Sequence, residues 1–166
     1  RSGACGTAGR RGLCPAGRCG RGWYLASRAS PKEYLAHPIE TLESGSSGTR
    51  NMLEPARRDG ARFLITSTSE CYGDPLEHPQ TESYRGNVSP TGARPMYDEG
   101  KRHGEAPRFA EHRGRAGVAG IGRIFNTCGP RSDANDGRVV PNFVVRGSVG
   151  GALPKYGDGR RARACA

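Results

Sequence analysis

The sequence predicts an α/β chain with candidate chemistry at the carboxyl end of a buried strand. Three observations carry this. Strand-like apolar runs alternate with helix-spaced stretches along the chain. The run Ala61-Arg62-Phe63-Leu64-Ile65-Thr66 reads as a short buried strand that ends in hydroxyls and a carboxylate, Thr66 to Glu70, and in open α/β sheets chemistry gathers at the carboxyl ends of strands. Tyr97 stands four residues before Lys101, a spacing that puts both side chains on one side of a helix, one turn apart.

Composition bounds the rest. A chain of 166 residues is long enough for one domain with a core. Its hydrophobic share is only 34% and it holds 26 glycines. The formal charge of +10 comes from 26 basic against 16 acidic residues, and all the basic ones are Arg except Lys32, Lys101 and Lys155. Such a charge is one signature of a nucleic-acid binder. Against that reading, the Arg residues are scattered, aromatics are few, and no nucleic-acid-binding motif is present, so no nucleic-acid partner is expected. The 6 Cys form no Cys-x-x-Cys framework, and no His pair completes a zinc site. No metal is expected, and free thiols fit a reducing, cytoplasmic setting. No apolar run is long enough to span a membrane.

The elements are expected in the following order. Residues 1–22 are Gly, Arg, Ala and Cys without an apolar period and read as disordered or foreign. Gly3, Gly6 and Gly9 match a pyrophosphate-loop spacing, but Arg10-Arg11-Gly12 follows instead of an apolar helix face, so the match reads as accidental. Trp23-Tyr24-Leu25-Ala26-Ser27 is a short strand. Ser30-Pro31 and His37-Pro38 punctuate a loop. Ile39 to Arg58 should be a helix stopped by Gly60, although Gly45, Ser46, Ser47, Gly48 and Pro55 oppose it. Gly73 to Arg94 is a long polar loop of the functional kind. The Tyr97–Lys101 helix should run to about His112 against the resistance of Gly104 and Pro107, with Arg102, His103, Glu111 and His112 in solvent. Gly117 to Ile124 is a further strand, weakened by Gly120 and Gly122.

The Tyr/Lys spacing has a chemical reading. A phenol titrates near pH 10, and an ammonium one turn away favours the phenolate. Lowering that pKa by roughly 3 units takes about 4 kcal/mol and gives a base usable at neutral pH. Alone the spacing is common, and an exposed helix turn is the bland alternative.

The neighbouring motifs narrow it. Thr66-Ser67-Thr68-Ser69-Glu70-Cys71-Tyr72-Gly73-Asp74-Pro75, Tyr97-Asp98-Glu99-Gly100-Lys101-Arg102, Arg123-Ile124-Phe125-Asn126-Thr127, Gly129-Pro130-Arg131 and Asp136-Gly137-Arg138-Val139-Val140 closely resemble the UDP-glucuronate decarboxylases. These belong to the extended short-chain dehydrogenase/reductase superfamily, and the likeness runs from about Trp23 to Arg163. It implies an α/β fold, a partial Rossmann-like doubly wound parallel sheet lacking its first strands, with the beginning of a smaller substrate-binding part. Residues 23–128 would form the NAD-binding part with the catalytic Tyr and Lys, and residues 129–166 the start of a substrate-binding region. NAD oxidises the 4-hydroxyl of UDP-glucuronate in that family, and the ketone makes the neighbouring carboxylate a β-keto acid that loses carbon dioxide.

By this resemblance Tyr97 is the base, Lys101 lowers its pKa and holds the ribose, and Thr68 bonds the reacting oxygen. Glu70 orients the sugar or handles a proton. Leu25, Ser27, Thr127 and Arg138, with Tyr97 and Lys101, would line the cofactor, while Asn51, Arg57, Arg58, Asn126 and Arg163 would contact the sugar nucleotide. A polar helix surface is the alternative for Asn51, Arg57 and Arg58. A homodimer is implied for the full-length family member. Three residues depart from the family's usual choice: Tyr24 for His, Gly45 for Asn and Arg85 for Trp. Three alternatives remain open: an epimerase or 4,6-dehydratase on the same scaffold, a basic binding module, and an inactive remnant whose sheet would expose an apolar edge.

Overall fold

The structure, a computed structural model, describes residues 18–114, 119–130, 132–135 and 137–153. Three parallel strands, β1 (Arg21–Tyr24), β2 (Arg62–Thr68) and β3 (Ala119–Ile124), form a sheet in that spatial order. Between the first two lie α1 (Pro31–Ala36), α2 (Pro38–Glu43), a π-helical turn (Ser44–Gly48) and α3 (Thr49–Asp59). A 3₁₀ turn (Ser69–Tyr72), the long loop and α4 (Pro95–Gly114) separate β2 from β3, and α5 (Val139–Ser148) follows. Parallel neighbours require crossovers, and the intervening helices supply them.

The central strand alternates as its pleat requires. Phe63 and Ile65 are buried with Tyr24, Ala56 and Ala61 in one core, against which Met52, Leu53 and Ile121 pack. Leu64, on the opposite face, is 37% exposed, and its register partner Trp23 is 66% exposed. Among the described residues the helices therefore cover one face of the sheet and not both, and the open face carries the apolar surface expected from an incomplete sheet. β1 begins at Arg21, so Arg21 and Gly22 pair with Arg62 and Phe63 rather than belonging to the leading segment. It ends at Tyr24, which leaves Leu25 and Ser27 just past its carboxyl end.

Several local expectations are corrected. Pro31 and Pro38 do not sit in a loop: each opens a helix, a position where the missing N–H costs nothing. Gly60 ends α3 with φ 64°, the left-handed stop expected of it. Upstream, Gly45 to Gly48 do not break the helix but widen it into the π-turn, bridged by side chains. Tyr24 Oη donates to the Ser44 carbonyl at 2.7 Å and Thr49 Oγ1 to the Gly45 carbonyl at 2.7 Å. The turn brings Gly45 against α4, where a Cβ would lie 2.1 Å from the Gly100 carbonyl oxygen. Gly104 is buried for a related reason: a Cβ there would crowd Ile65 Cδ1 and Thr49 Oγ1, each at 3.1 Å. Glycines that weaken these helices in isolation let them approach. α5 is absent from the sequence reading because its core-facing periodicity is short and it ends in Gly147 and Ser148.

Near its start α4 also buries Asp98, 8% exposed, whose Oδ1 has no hydrogen-bond partner. Burial pushes this carboxyl up from 3.8 to about 6; Arg94 opposes the shift, and Glu70 and Glu99 add to it.

Gly45→Ala is expected to lower stability by about 1–3 kcal/mol through overpacking against Gly100, read as a fall in Tm. Asp98 gives a pH signature. Its folded pKa lies above the unfolded value, so between about pH 4 and 6 the native state holds a proton that the unfolded chain has released, and stability falls as pH rises. Asp98→Asn should remove that slope, gaining about 1–3 kcal/mol at about pH 7 and nothing below about pH 4 in denaturant melts.

Candidate active site

The site forms where the carboxyl end of β2 meets the first turns of α4. Thr68, 7% exposed, leaves the strand in extended conformation, and its Oγ1 accepts the Glu70 N–H at 3.3 Å, closing the 3₁₀ turn. Tyr97, 8% exposed, lies beside Thr68, whose hydroxyl acts against the effect of burial on the phenol. Its ring stacks on Tyr34 of α1 with centroids 5.0 Å apart and 17° between planes. Arg94 pairs with Glu70 at 2.6 Å and lies beside the Tyr34 hydroxyl, on whose ionisation it acts. One guanidinium thus joins the turn, α1 and the start of α4. The loop from Gly73 to Arg94 is pinned over this region: Asn87 N–H donates to the Tyr72 carbonyl at 2.8 Å, and Arg102 donates to the carbonyls of Cys71 and Arg85 at 2.9 Å each. Arg102 is therefore half-buried and structural, not a solvated side chain.

Thr68, Glu70, Tyr97 and Lys101 are brought together, but Lys101 does not act as expected in this arrangement. Its Nζ donates to the Thr66 carbonyl at 2.9 Å and stands 6.0 Å from the centre of the Tyr97 ring. Burial raises the Tyr97 phenol, with the Thr68 hydroxyl the largest opposing influence. Burial also pushes the Lys101 ammonium down. Desolvation penalises both charged forms and is the largest influence on each.

The other expected site residues divide by edge of the sheet. Leu25, 60% exposed, and half-buried Ser27 lie at the carboxyl edge beyond β1. Asn126 and Thr127 lie beyond β3 on the same edge, where Arg138 Nη1 donates to the Thr127 carbonyl at 3.4 Å. Arg57 and Arg58 are elsewhere. They end α3 just before β2 starts, paired with Glu54 at 3.0 Å and Asp59 at 2.8 Å. The length of a seven-residue strand, roughly 20 Å, separates that edge from Thr68. Asn51 sits two turns earlier in α3, half-buried. Arg163, with Gly3, Gly6 and Gly9, lies outside the described residues.

Sequence reasoning missed Tyr34, Arg94, Asp98, Glu105 and Arg123. Helical spacing carried a signal for two of them: Arg94 is one turn before Tyr97, and Glu105 one turn after Lys101 on the same stripe. Glu105 is buried and takes two bonds from Arg123, Nε at 2.9 Å and Nη2 at 2.7 Å. Burial alone would raise its carboxyl, but the Arg123 and Ser67 hydrogen bonds hold it below the usual carboxylate range.

Chemically, the arrangement offers a buried phenol, a threonine hydroxyl and an ammonium at adjacent positions beside a clamped carboxylate. That donor set suits the hydroxyls of the ribose–nicotinamide half of NAD, with Tyr97 and Lys101 as the groups that would hold it, and the Thr68 hydroxyl suits a sugar alcohol opposite. Among the described residues no helix is long and apolar enough to cross a membrane.

Comparison with known proteins agrees with this geometry. The family model described as "NAD dependent epimerase/dehydratase family" matches residues 22–165. UDP-glucuronic acid decarboxylase 1 of Arabidopsis thaliana is 52% identical over 141 residues, 85% of this chain and 32% of that protein. UDP-glucuronic acid decarboxylase 1 of Xenopus tropicalis is 50% identical over 142 residues, 86% of this chain and 34% of that protein. The chain thus spans about a third of the length of these relatives. Among solved structures, a UDP-N-acetylglucosamine 4-epimerase from Methanobrevibacter ruminantium superposes with a TM-score of 0.76 at 24% identity, over 88% of this chain and 46% of that one, a likeness of fold. The dTDP-glucose 4,6-dehydratase from Streptomyces venezuelae, solved with NAD, gives 0.72 at 27% identity over 87% of this chain and 43% of that one. With a parallel sheet of this order, Tyr97 and Lys101 at its carboxyl edge and a family match over nearly its whole length, the chain belongs to the NAD-dependent epimerase/dehydratase family.

Proposed function

We propose that the protein of which this chain forms part decarboxylates UDP-glucuronate to UDP-xylose with NAD as its cofactor. The observation that supports the reading is the convergence of Thr68, Tyr97 and Glu70 at one strand end, in a chain 50–52% identical to UDP-glucuronic acid decarboxylases. NAD, when bound, supplies the hydride acceptor and a positive charge beside the phenol. Tyr97 takes the proton of the sugar's 4-hydroxyl, and Thr68 fixes that oxygen. Lys101 holds the ribose. Loss of carbon dioxide is eased when the 4-position, next to the carbon that bears the carboxylate, is a ketone, because the electrons of the breaking bond pass into an enolate. Glu70, held in place by Arg94, delivers or relays the proton that returns to carbon. The closed loop from Gly73 to Arg94 limits water at the reacting carbon.

The free thiols of Cys19, Cys71 and Cys128 suit a reducing, cytoplasmic setting. By the family resemblance the full-length protein is a homodimer, and sedimentation equilibrium is expected to give twice the chain mass; a monomer at micromolar concentration overturns this.

Full-length protein incubated with NAD and UDP-glucuronate is expected to release a UDP-pentose and carbon dioxide. Hexuronate isomers instead of pentose would establish an epimerase. Tyr97→Phe should lower kcat by about 10²–10⁴-fold, the usual worth of a general base, with little change in Tm.

A further inference from the structure

We infer that Glu105 is a positioning residue for the catalytic turn, holding Thr68 to Glu70 in register with Tyr97 by anchoring both flanks of the turn to Arg123 of β3. The inference rests on the functional reading above for its catalytic meaning, but its geometry stands alone. Ser67 and Cys71 bracket the turn. Ser67 Oγ donates to Glu105 Oε1 at 2.5 Å, and the Cys71 thiol lies 3.0 Å from the same hydroxyl oxygen, as its donor. Both oxygens of Glu105 are taken up by Arg123, through Nε at 2.9 Å and Nη2 at 2.7 Å. The guanidinium in turn lies 4.8 Å from the centre of the Tyr72 ring, in the last residue of the turn, and Nη1 reaches the Glu82 carbonyl of the covering loop at 3.4 Å.

The whole assembly is buried: Glu105 is 6% exposed, Ser67 4% and Cys71 3%. A stabilising ion pair needs none of these bonds to the turn. Here a single carboxylate sets the distance from α4 to the residue before Thr68 and, through Ser67, to the residue after Glu70. Because Tyr97 is on the same helix as Glu105, the carboxylate's reach fixes where the Thr68 hydroxyl meets the phenol. Cys71 serves as part of the anchor: burial raises its thiol to about 11, so it is a hydrogen-bond donor and not a nucleophile.

Glu105→Asp keeps the charge pair with Arg123 but shortens the arm by one methylene, about 1.5 Å. Ser67→Ala keeps the pair intact and cuts only its link to the turn. Full-length protein labelled with [ζ-¹³C]tyrosine reports the Thr68–Tyr97 contact directly. The Tyr97 signal is assigned by its loss in Tyr97→Phe, and Thr68→Val marks its position without the neighbouring hydroxyl. In both Glu105→Asp and Ser67→Ala the signal is expected to move most of the way to the Thr68→Val position, while kcat falls roughly tenfold or more, as displacement of a reacting group implies, and KM changes little. A Tyr97 signal unmoved in Ser67→Ala overturns the inference, whatever Glu105→Asp does to folding. The resonance decides the matter even if no UDP-pentose is formed, so failure of the functional reading is distinguishable from failure of this one.

Discussion

The structure depends on how α4 is seated across the carboxyl end of β2. Three residues of the helix, each four after the last, reach three consecutive residues of the strand: Tyr97 to Thr68, Lys101 to Thr66 and Glu105 to Ser67. The contact is polar along its length, yet most of its members are buried. Burying such groups is costly unless each finds a partner, so the tethers are mutually obligatory rather than decorative. Their placement requires the helix to lie close, and that is the role of Gly45, Gly100 and Gly104. The crossing puts backbone against backbone at Gly45 and Gly100, and α4 against Ile65 at Gly104.

This explains what was legible in the sequence and what was not. β2 could be read because a central strand shows its burial as alternation, and Gly60 because a left-handed helix stop all but demands glycine. Thr68, Glu70, Tyr97 and Lys101 could be read because their spacing is local. The helix before β2 read poorly, since Gly45 to Gly48 lower intrinsic propensity; tertiary packing against α4 and the bond from Tyr24 to Ser44 restore it. Arg94, Glu105 and Arg123 were hidden for a different reason. Glu105 and Arg123 are 18 residues apart, and each alone resembles an ordinary charged surface residue. Only the register of β3 against β2, which pairs Arg123 with Ser67, shows that they meet. The resemblance of Arg57 and Arg58 to binding residues also carried no position, and the fold puts them at the far edge of the sheet.

Electrostatics of the cluster supply the last step. Burial drives Tyr97, Lys101 and Asp98 each toward the neutral form. Against this stand two ion pairs, Arg94 with Glu70 at 2.6 Å and Arg123 with Glu105 at 2.7 Å, and the hydrogen bonds from Arg123 and Ser67 hold the Glu105 carboxyl down. The fixed charge is therefore carried by the groups that hold the turn, while burial disfavours charge on the phenol that would take the proton. Such a division suits catalysis. A base already ionised in a dry cleft would have to be stabilised by the protein alone, whereas a neutral phenol ionises only when further positive charge arrives beside it. On this argument the Tyr/Lys spacing read from the sequence is half of the device. On the proposed function, the other half is a desolvated seat that disfavours the phenolate, so that deprotonation would be coupled to the arrival of cofactor and sugar.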